Sequence, residues 1–164
     1  MKSKVFWSFH FDQDCWRTNQ VRNIGAIEGN TPVSGNDWER VKKGADVAIE
    51  KWIDEQLRPR ECTVVLVGAF TASRQWVMHE IKRSWGLRKG VVGVRIHNLE
   101  DSNGNQCSEG ANPFSTLQLN GASFDRIVTL YNPPFSTGKN VYANIVENIS
   151  NWVEDAVKTR KKYS

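Results

Sequence analysis

Paired cysteines, a long apolar run and a concentrated basic stripe are all missing from this 164-residue sequence. Its three cysteines, Cys15, Cys62 and Cys107, are odd in number and far apart, with no Cys-x-x-Cys pair, so neither a disulfide framework nor a zinc ribbon follows. Reduced thiols in a reducing compartment are expected. No stretch approaches the length needed to cross a bilayer, and the N-terminus has no apolar segment followed by a small-residue cleavage site; the expected location is the cytoplasm, with no membrane partner. The net charge of +4 comes from 22 basic and 18 acidic residues, and setting aside Lys158, Arg160, Lys161 and Lys162 leaves 18 against 18. The basicity therefore sits in a short tail from about residue 158. A nucleic-acid binder carries Lys and Arg as a stripe across the folded body among exposed aromatics, and that pattern is not evident, so no nucleic-acid partner is expected.

Familiar catalytic signatures fail as well. His79-Glu80 begins like a zincin helix, but the second ligand is due at position 83, where Arg83 stands, and no metal site follows. Gly138-Lys139 resembles the end of a phosphate loop, yet Asn140 replaces the hydroxyl residue and Pro133 the leading glycine. There is no GxGxxG after a strand and no GxSxG elbow. The bulky, acidic stretch from His10 to Asp14 is unsuited to cradling the FMN phosphate of a flavodoxin. Asp12 and Asp14 fit the acidic pocket of a response regulator, but Val67-Gly68-Ala69 offers no phosphate acceptor.

What is present is enough apolar mass, 39% of residues with seven Trp, for a single domain spanning residues 1–164. Residues 4–9 read as a strand. A helix follows from Asp12 or Asp14 and closes at Gly25, and the Gly, Asn, Pro and Ser segment 25–35 reads as a surface loop. A second helix is expected over residues 37–57, where Val41, Ala45, Ala48, Ile49, Trp52, Ile53 and Leu57 recur at helical spacing. The unbroken β-branched run 62–67 has the character of a strand covered on both faces. A third helix is expected from Thr71 or Ser73 to Trp85, then a buried strand over 91–96. Residues 98–123 are polar and turn-rich, a length typical of a lid, a binding loop or a disordered insertion. A last strand over 126–131 and a closing helix over 141–157 complete the chain. This alternation implies an α/β fold of three layers: a mostly parallel sheet of four to five strands in flavodoxin-like order, with helices on both faces. Ligands in such sheets collect outside the carboxyl ends of the strands where strand order reverses, so function is sought after Phe9, Val67, Ile96 and Tyr131.

On the third helix, Ser73, Trp76 and Glu80 fall on one stripe beside the core-facing Val77, Ile81 and Trp85. An acid there is partly desolvated and still able to reach a cleft. The strand Val5-Phe6-Trp7-Ser8-Phe9 with Asp12 and Asp14 behind it resembles the first box of TIR domains. Residues 73–81, Ser-Arg-Gln-Trp-Val-Met-His-Glu-Ile, resemble their Ser-x-x-Trp-Cys-x-x-Glu-Leu helix, with Val77 for the Cys and Ile81 for the Leu. Ser8-Phe9-His10, Trp16-Arg17, Arg22-Asn23, Asp37-Trp38-Glu39, residues 64–68, Ile96-His97-Asn98-Leu99 and Asn112-Pro113-Phe114 are similar to the bacterial TIR-like group that includes the TIR protein of Thoeris antiphage defence. The similarity reaches to about Tyr131.

The resemblance implies a TIR-like fold and NAD as substrate, with no tightly bound cofactor. It implies cleavage of the nicotinamide–ribose bond to give an ADP-ribose-derived signal, cyclic in the favoured version, for a separate effector protein. Self-association or a phage-derived trigger would complete the site. Glu80 takes the catalytic place, since a carboxylate can hold ribose hydroxyls and stabilise oxocarbenium charge. Ser8, Phe9, His10, Asp12, Trp38 and Trp76 are the candidate substrate contacts. Each has an ordinary competitor: core packing for Phe9, Trp38 and Trp76, a structural histidine for His10, a helix cap for Asp12, and for Glu80 a surface pair with Arg83 or Ser84. The rival function is a non-catalytic adaptor or nucleotide-binding interaction domain.

Overall fold

Alternation of apolar side chains along three neighbouring strands decides the layering of this protein. The computed structural model describes residues 3–25, 27–29, 46–119 and 121–163, without the side chains of Asp12 and Asp46. Strands β1 (Lys4–Ser8), β2 (Glu28–Gly29), β3 (Cys62–Val67), β4 (Gly90–Arg95) and the late strand Leu130–Tyr131 form one sheet. Two further short strands, β5 (Gln118–Leu119) and β6 (Ala122–Ser123), pair antiparallel as a hairpin, which makes the late strand β7. The order in the main sheet is β2-β1-β3-β4-β7 with every pair parallel. That is the flavodoxin-like order expected from the sequence, and it reverses between β1 and β3.

Period-two alternation sends Val5 and Trp7 of β1, Val64 and Leu66 of β3, and Val92 and Val94 of β4 to one face. There they meet α1 (Phe11–Arg22) through Val21 and the closing helix α4 (Gly138–Lys161) through Val141, Ile145, Ile149 and Val153. The opposite face presents Phe6, Val65, Val67 and Val91. Helix α2 (Asp46–Leu57) covers Phe6 with Ile49, Ile53 and Leu57, and α3 (Gln75–Gly86) covers β3 with Val77 and Ile81. Among the described residues no α-helix joins β4 to β7. Phe114, Phe124 and Val128 from the intervening segment fill that place on the α3 side.

Several expected boundaries move. The third helix does not begin at Thr71 or Ser73: those residues form a 3-10 turn, Arg74 is extended with φ −87° and ψ 118°, and the α-helix starts at Gln75. Ser73 is therefore not on the Trp76–Glu80 stripe, and its hydroxyl instead donates to the Phe70 carbonyl at 2.8 Å. Helix α1 starts at Phe11, before either aspartate, and His10 is its N-cap without a side-chain cap hydrogen bond. The last strand shrinks to Leu130–Tyr131 because Phe124–Arg126 turns as a 3-10 helix. The polar segment after β4 carries the β5–β6 hairpin and a strap tied to the sheet. Of the expected second helix, residues 37–45 lie outside the described residues. Among the described residues no helix is long and apolar enough to cross a membrane.

Close packing of α4 on β4 depends on Gly90, where a Cβ would come within 2.9 Å of the Ala156 and Val157 backbone. Gly90→Ala is expected to lower stability by about 1–3 kcal/mol, because backbone cannot yield as a flexible side chain can. Gly86→Ala, where a Cβ meets nothing within 4 Å, is the matched control and should be neutral or slightly stabilising. Urea midpoints of the two variants check this.

Candidate active site

Helix α3 packs with a stripe of buried residues, Val77, Glu80, Ile81 and Ser84, at the spacing that usually carries only apolar side chains. Both polar members find partners on the strands beneath. The alternation that turns Phe6 toward α2 and α3 turns Ser8 the same way, and its hydroxyl donates to Glu80 Oε1 at 2.9 Å. One helical turn later, Ser84 Oγ donates to the Glu80 carbonyl at 2.6 Å and lies 2.6 Å from Thr63 Oγ1 on β3. Glu80 is 6% exposed and Ser8 1%. Burial pushes the Glu80 carboxyl up to about 8, with the Ser8 hydrogen bond pulling the other way. At neutral pH the acid is mainly protonated in the unliganded fold. It is not the surface carboxylate that Arg83 would neutralise, since Arg83 pairs with Asp54 at 2.7 Å.

A second buried cluster occupies the α1 side of the same sheet end. Asp14, 1% exposed, lies 3.4 Å from Arg17, and burial raises its carboxyl to about 6 while Arg17 and the Thr71 hydroxyl lower it. Arg17 also donates from Nε to the Leu99 carbonyl and from Nη2 to the Asn105 carbonyl, both at 2.8 Å. Those bonds fasten the segment after β4 to α1. Its other end is held by Arg95, which donates to the Gly110 carbonyl at 2.6 Å and pairs with Glu109 at 3.2 Å. Gly110 presses on the Gly68 and Ala69 carbonyls, and a Cβ on Gly68 would land on the Asp14 carboxylate. The residues just after β3 are thus gripped from two sides.

Among the residues singled out from the sequence, Ser8 and Glu80 are brought into direct contact. His10 is half-buried at the head of α1, and its carbonyl accepts from the Asp14 amide at 2.8 Å. Phe9 is on the opposite face from Ser8: its ring packs against the α1–α4 core and sits 6.0 Å from that of Phe11. Trp76, one turn before Glu80, is half-buried against the Phe6–Ile49 cluster and meets His79 edge-on at 5.5 Å. Trp38 and the Asp12 side chain lie outside the described residues. The Thr63–Ser84 pair belongs to no motif, and its only trace is the interruption of an apolar helix stripe by hydroxyls. Arg17 had a clearer trace, an acid and a base three apart on one helix.

A family model described as "Thoeris protein ThsB, TIR-like domain" matches residues 6–101, a span that takes in β1 from Phe6 onward, the site helix and β4. The chain is also similar to ThsB1 of Bacillus cereus (strain MSX-D12), whose name carries a proposed cyclic ADP-D-ribose synthase activity. The two are 35% identical over 136 residues, 80% of this chain and 71% of that protein.

Burial of Glu80 sets a pH dependence of folding. Its ordinary value is 4.5 and its folded value about 8, so the folded state holds the proton more tightly; this stability is fully present below pH 4.5 and is lost as pH rises through 8. Asp14 acts with the same sign between 3.8 and about 6, and His97, lowered by burial, acts with the opposite sign below 6.5. Between about pH 7 and 8 the wild type should therefore lose stability relative to Glu80→Gln, by up to about 1.4 kcal/mol per pH unit. Parallel urea-midpoint curves for the two proteins would contradict the burial of an acidic proton at this position.

Proposed function

The chain belongs to the Thoeris ThsB TIR-like family, and from that membership we propose that it is an NAD-processing enzyme of antiphage defence. It cleaves the bond between nicotinamide and ribose and forms an ADP-ribose-derived cyclic nucleotide that activates a separate effector protein. The name of the Bacillus cereus relative supports this product class. The single observation that carries the reading is the buried Ser8–Glu80 contact at the carboxyl end of the sheet, beside the point where strand order reverses.

Breaking the C–N bond leaves its electron pair on nicotinamide, which departs neutral, and the positive charge passes to the ribose as an oxocarbenium ion. Glu80 is placed to stabilise that charge as a carboxylate. In the unliganded protein it is mainly protonated, and the cationic nicotinamide favours its ionised form, sending the proton to solvent. Ser8 donates to the carboxylate and fixes its direction. Capture of the cation by a group of the same nucleotide, rather than by water, needs a site that excludes water, and the burial of Glu80 favours that outcome. His10, Trp76, Phe9, Asp12 and Trp38 make up the rest of the contact set that this reading assigns. Self-association or a phage-derived trigger closes the site in this scheme.

Purified protein incubated with NAD, alone and with candidate triggers, is expected to release nicotinamide. Glu80→Gln should reduce the rate by at least about 100-fold and Ser8→Ala by about tenfold. Equal release from wild type and Glu80→Gln removes the carboxyl from the chemistry. Absence of release under every condition favours the adaptor reading.

A further inference from the structure

We infer that Phe70 is a substrate-contact residue that stacks on a planar ring of the dinucleotide, an inference that rests on the NAD reading above and adds a residue to it. After β3 the chain runs Val67-Gly68-Ala69-Phe70-Thr71 into the 3-10 turn that precedes α3. Within this stretch Gly68 and Thr71 are buried and Ala69 half-buried, while the Phe70 ring is 55% exposed. A single exposed aromatic ordinarily needs no explanation. Here the backbone that carries it is unusually constrained.

The Gly68 amide donates to Thr71 Oγ1 at 2.8 Å, and the Phe70 carbonyl accepts from Ser73 Oγ at 2.8 Å and from the Ser73 amide at 3.3 Å. Asp14 lies against Gly68 from the α1 side, at a distance that only a residue without a Cβ permits. Gly110 lies against the Gly68 and Ala69 carbonyls from the strap, again with no room for a Cβ. A loop with an unsupported Phe would have to lose backbone freedom on binding a ring, but this turn has already lost it. The result is a hydrogen-bonded ledge that leaves an aromatic side chain open to solvent.

Its place in the fold selects the occupant. The ledge is at the carboxyl end of β3, and β3 is hydrogen-bonded to β1, whose last residue, Ser8, contacts Glu80. The order reverses between these two strands, so the ledge and the Ser8–Glu80 pair border the same switch point, where ligands of such sheets collect. Nicotinamide, being cationic in NAD, gains electrostatically over an aromatic face, and adenine gains by stacking. Both offer the same chemistry to Phe70, a flat heteroaromatic ring.

The test uses the full chain and three variants, Phe70→Ala, Phe70→Trp and Phe70→Leu, at a residue that belongs to none of the buried core clusters. Steady-state kinetics with NAD is joined by calorimetric binding of nicotinamide mononucleotide and of ADP-ribose, each carrying one of the two rings. Phe70→Ala and Phe70→Leu should raise KM for NAD about tenfold with kcat within about twofold, and Phe70→Trp should keep wild-type KM. Weakened binding of ADP-ribose assigns the ledge to adenine, and weakened binding of the mononucleotide assigns it to nicotinamide. The inference is overturned if wild type uses NAD and Phe70→Ala matches it in KM and in both affinities. Equal damage from Phe70→Trp and Phe70→Ala also overturns it, because a larger aromatic would then fail to stack. A wild-type protein that neither binds nor consumes NAD sinks the functional reading itself, a distinct result.

Discussion

A hydrogen bond between the last side chain of the first strand and an acid in the core stripe of α3 is the constraint on which this structure turns. Ser8 and Glu80 are 72 residues apart in sequence and meet at 2.9 Å because β1 pairs in register with β3 and α3 lies over both. An apolar pair of similar size would pack there with less cost, since burying a carboxyl is unfavourable unless it is hydrogen-bonded or stays protonated. The fold accepts that cost at one position of a helix whose other buried residues are Val77, Ile81 and Ser84. An acid of raised proton affinity is thereby held inside the carboxyl end of the sheet.

Around this contact the rest of the sheet end is organised as a frame. Arg17 joins α1 to the segment after β4, Arg95 fastens that segment farther along, and Gly68 and Gly110 allow backbone and carboxylate to approach more closely than any Cβ would permit. The frame lies mostly on the α1 side of the sheet and the Ser8–Glu80 pair on the α3 side. They are linked through the turn after β3, which touches the first and leads directly into the helix bearing the second.

Much of this was legible in the residues. The unbroken run 62–67 announced a doubly covered strand, and the strand-helix alternation led to the flavodoxin-like order now seen. Helical spacing sets Glu80 beside the buried face of the third helix, whereas it lies within that face. Helical spacing places a residue only to within part of a turn, and what decided the matter was Ser8, whose direction depends on the pairing of strands distant in sequence. Spacing equally could not reveal the break at Arg74, which removed Ser73 from the stripe, or the shortening of the last strand by a 3-10 turn. The segment after β4 has no apolar periodicity because it is held by polar bonds from Arg17 and Arg95 together with a few scattered buried side chains, Leu99, Phe114 and Phe124 among them, rather than by a regular apolar face.

The account is tested most directly by observing the Glu80 carboxyl itself, through carbon NMR of the side-chain carboxyl in protein labelled at glutamate and assigned with Glu80→Gln. It predicts a titration midpoint near pH 8 in the unliganded protein, and a midpoint shifted downward when NAD is bound. A Glu80 carboxyl that titrates near 4.5 and does not respond to NAD would contradict the claim that this buried acid is the group around which the site is built.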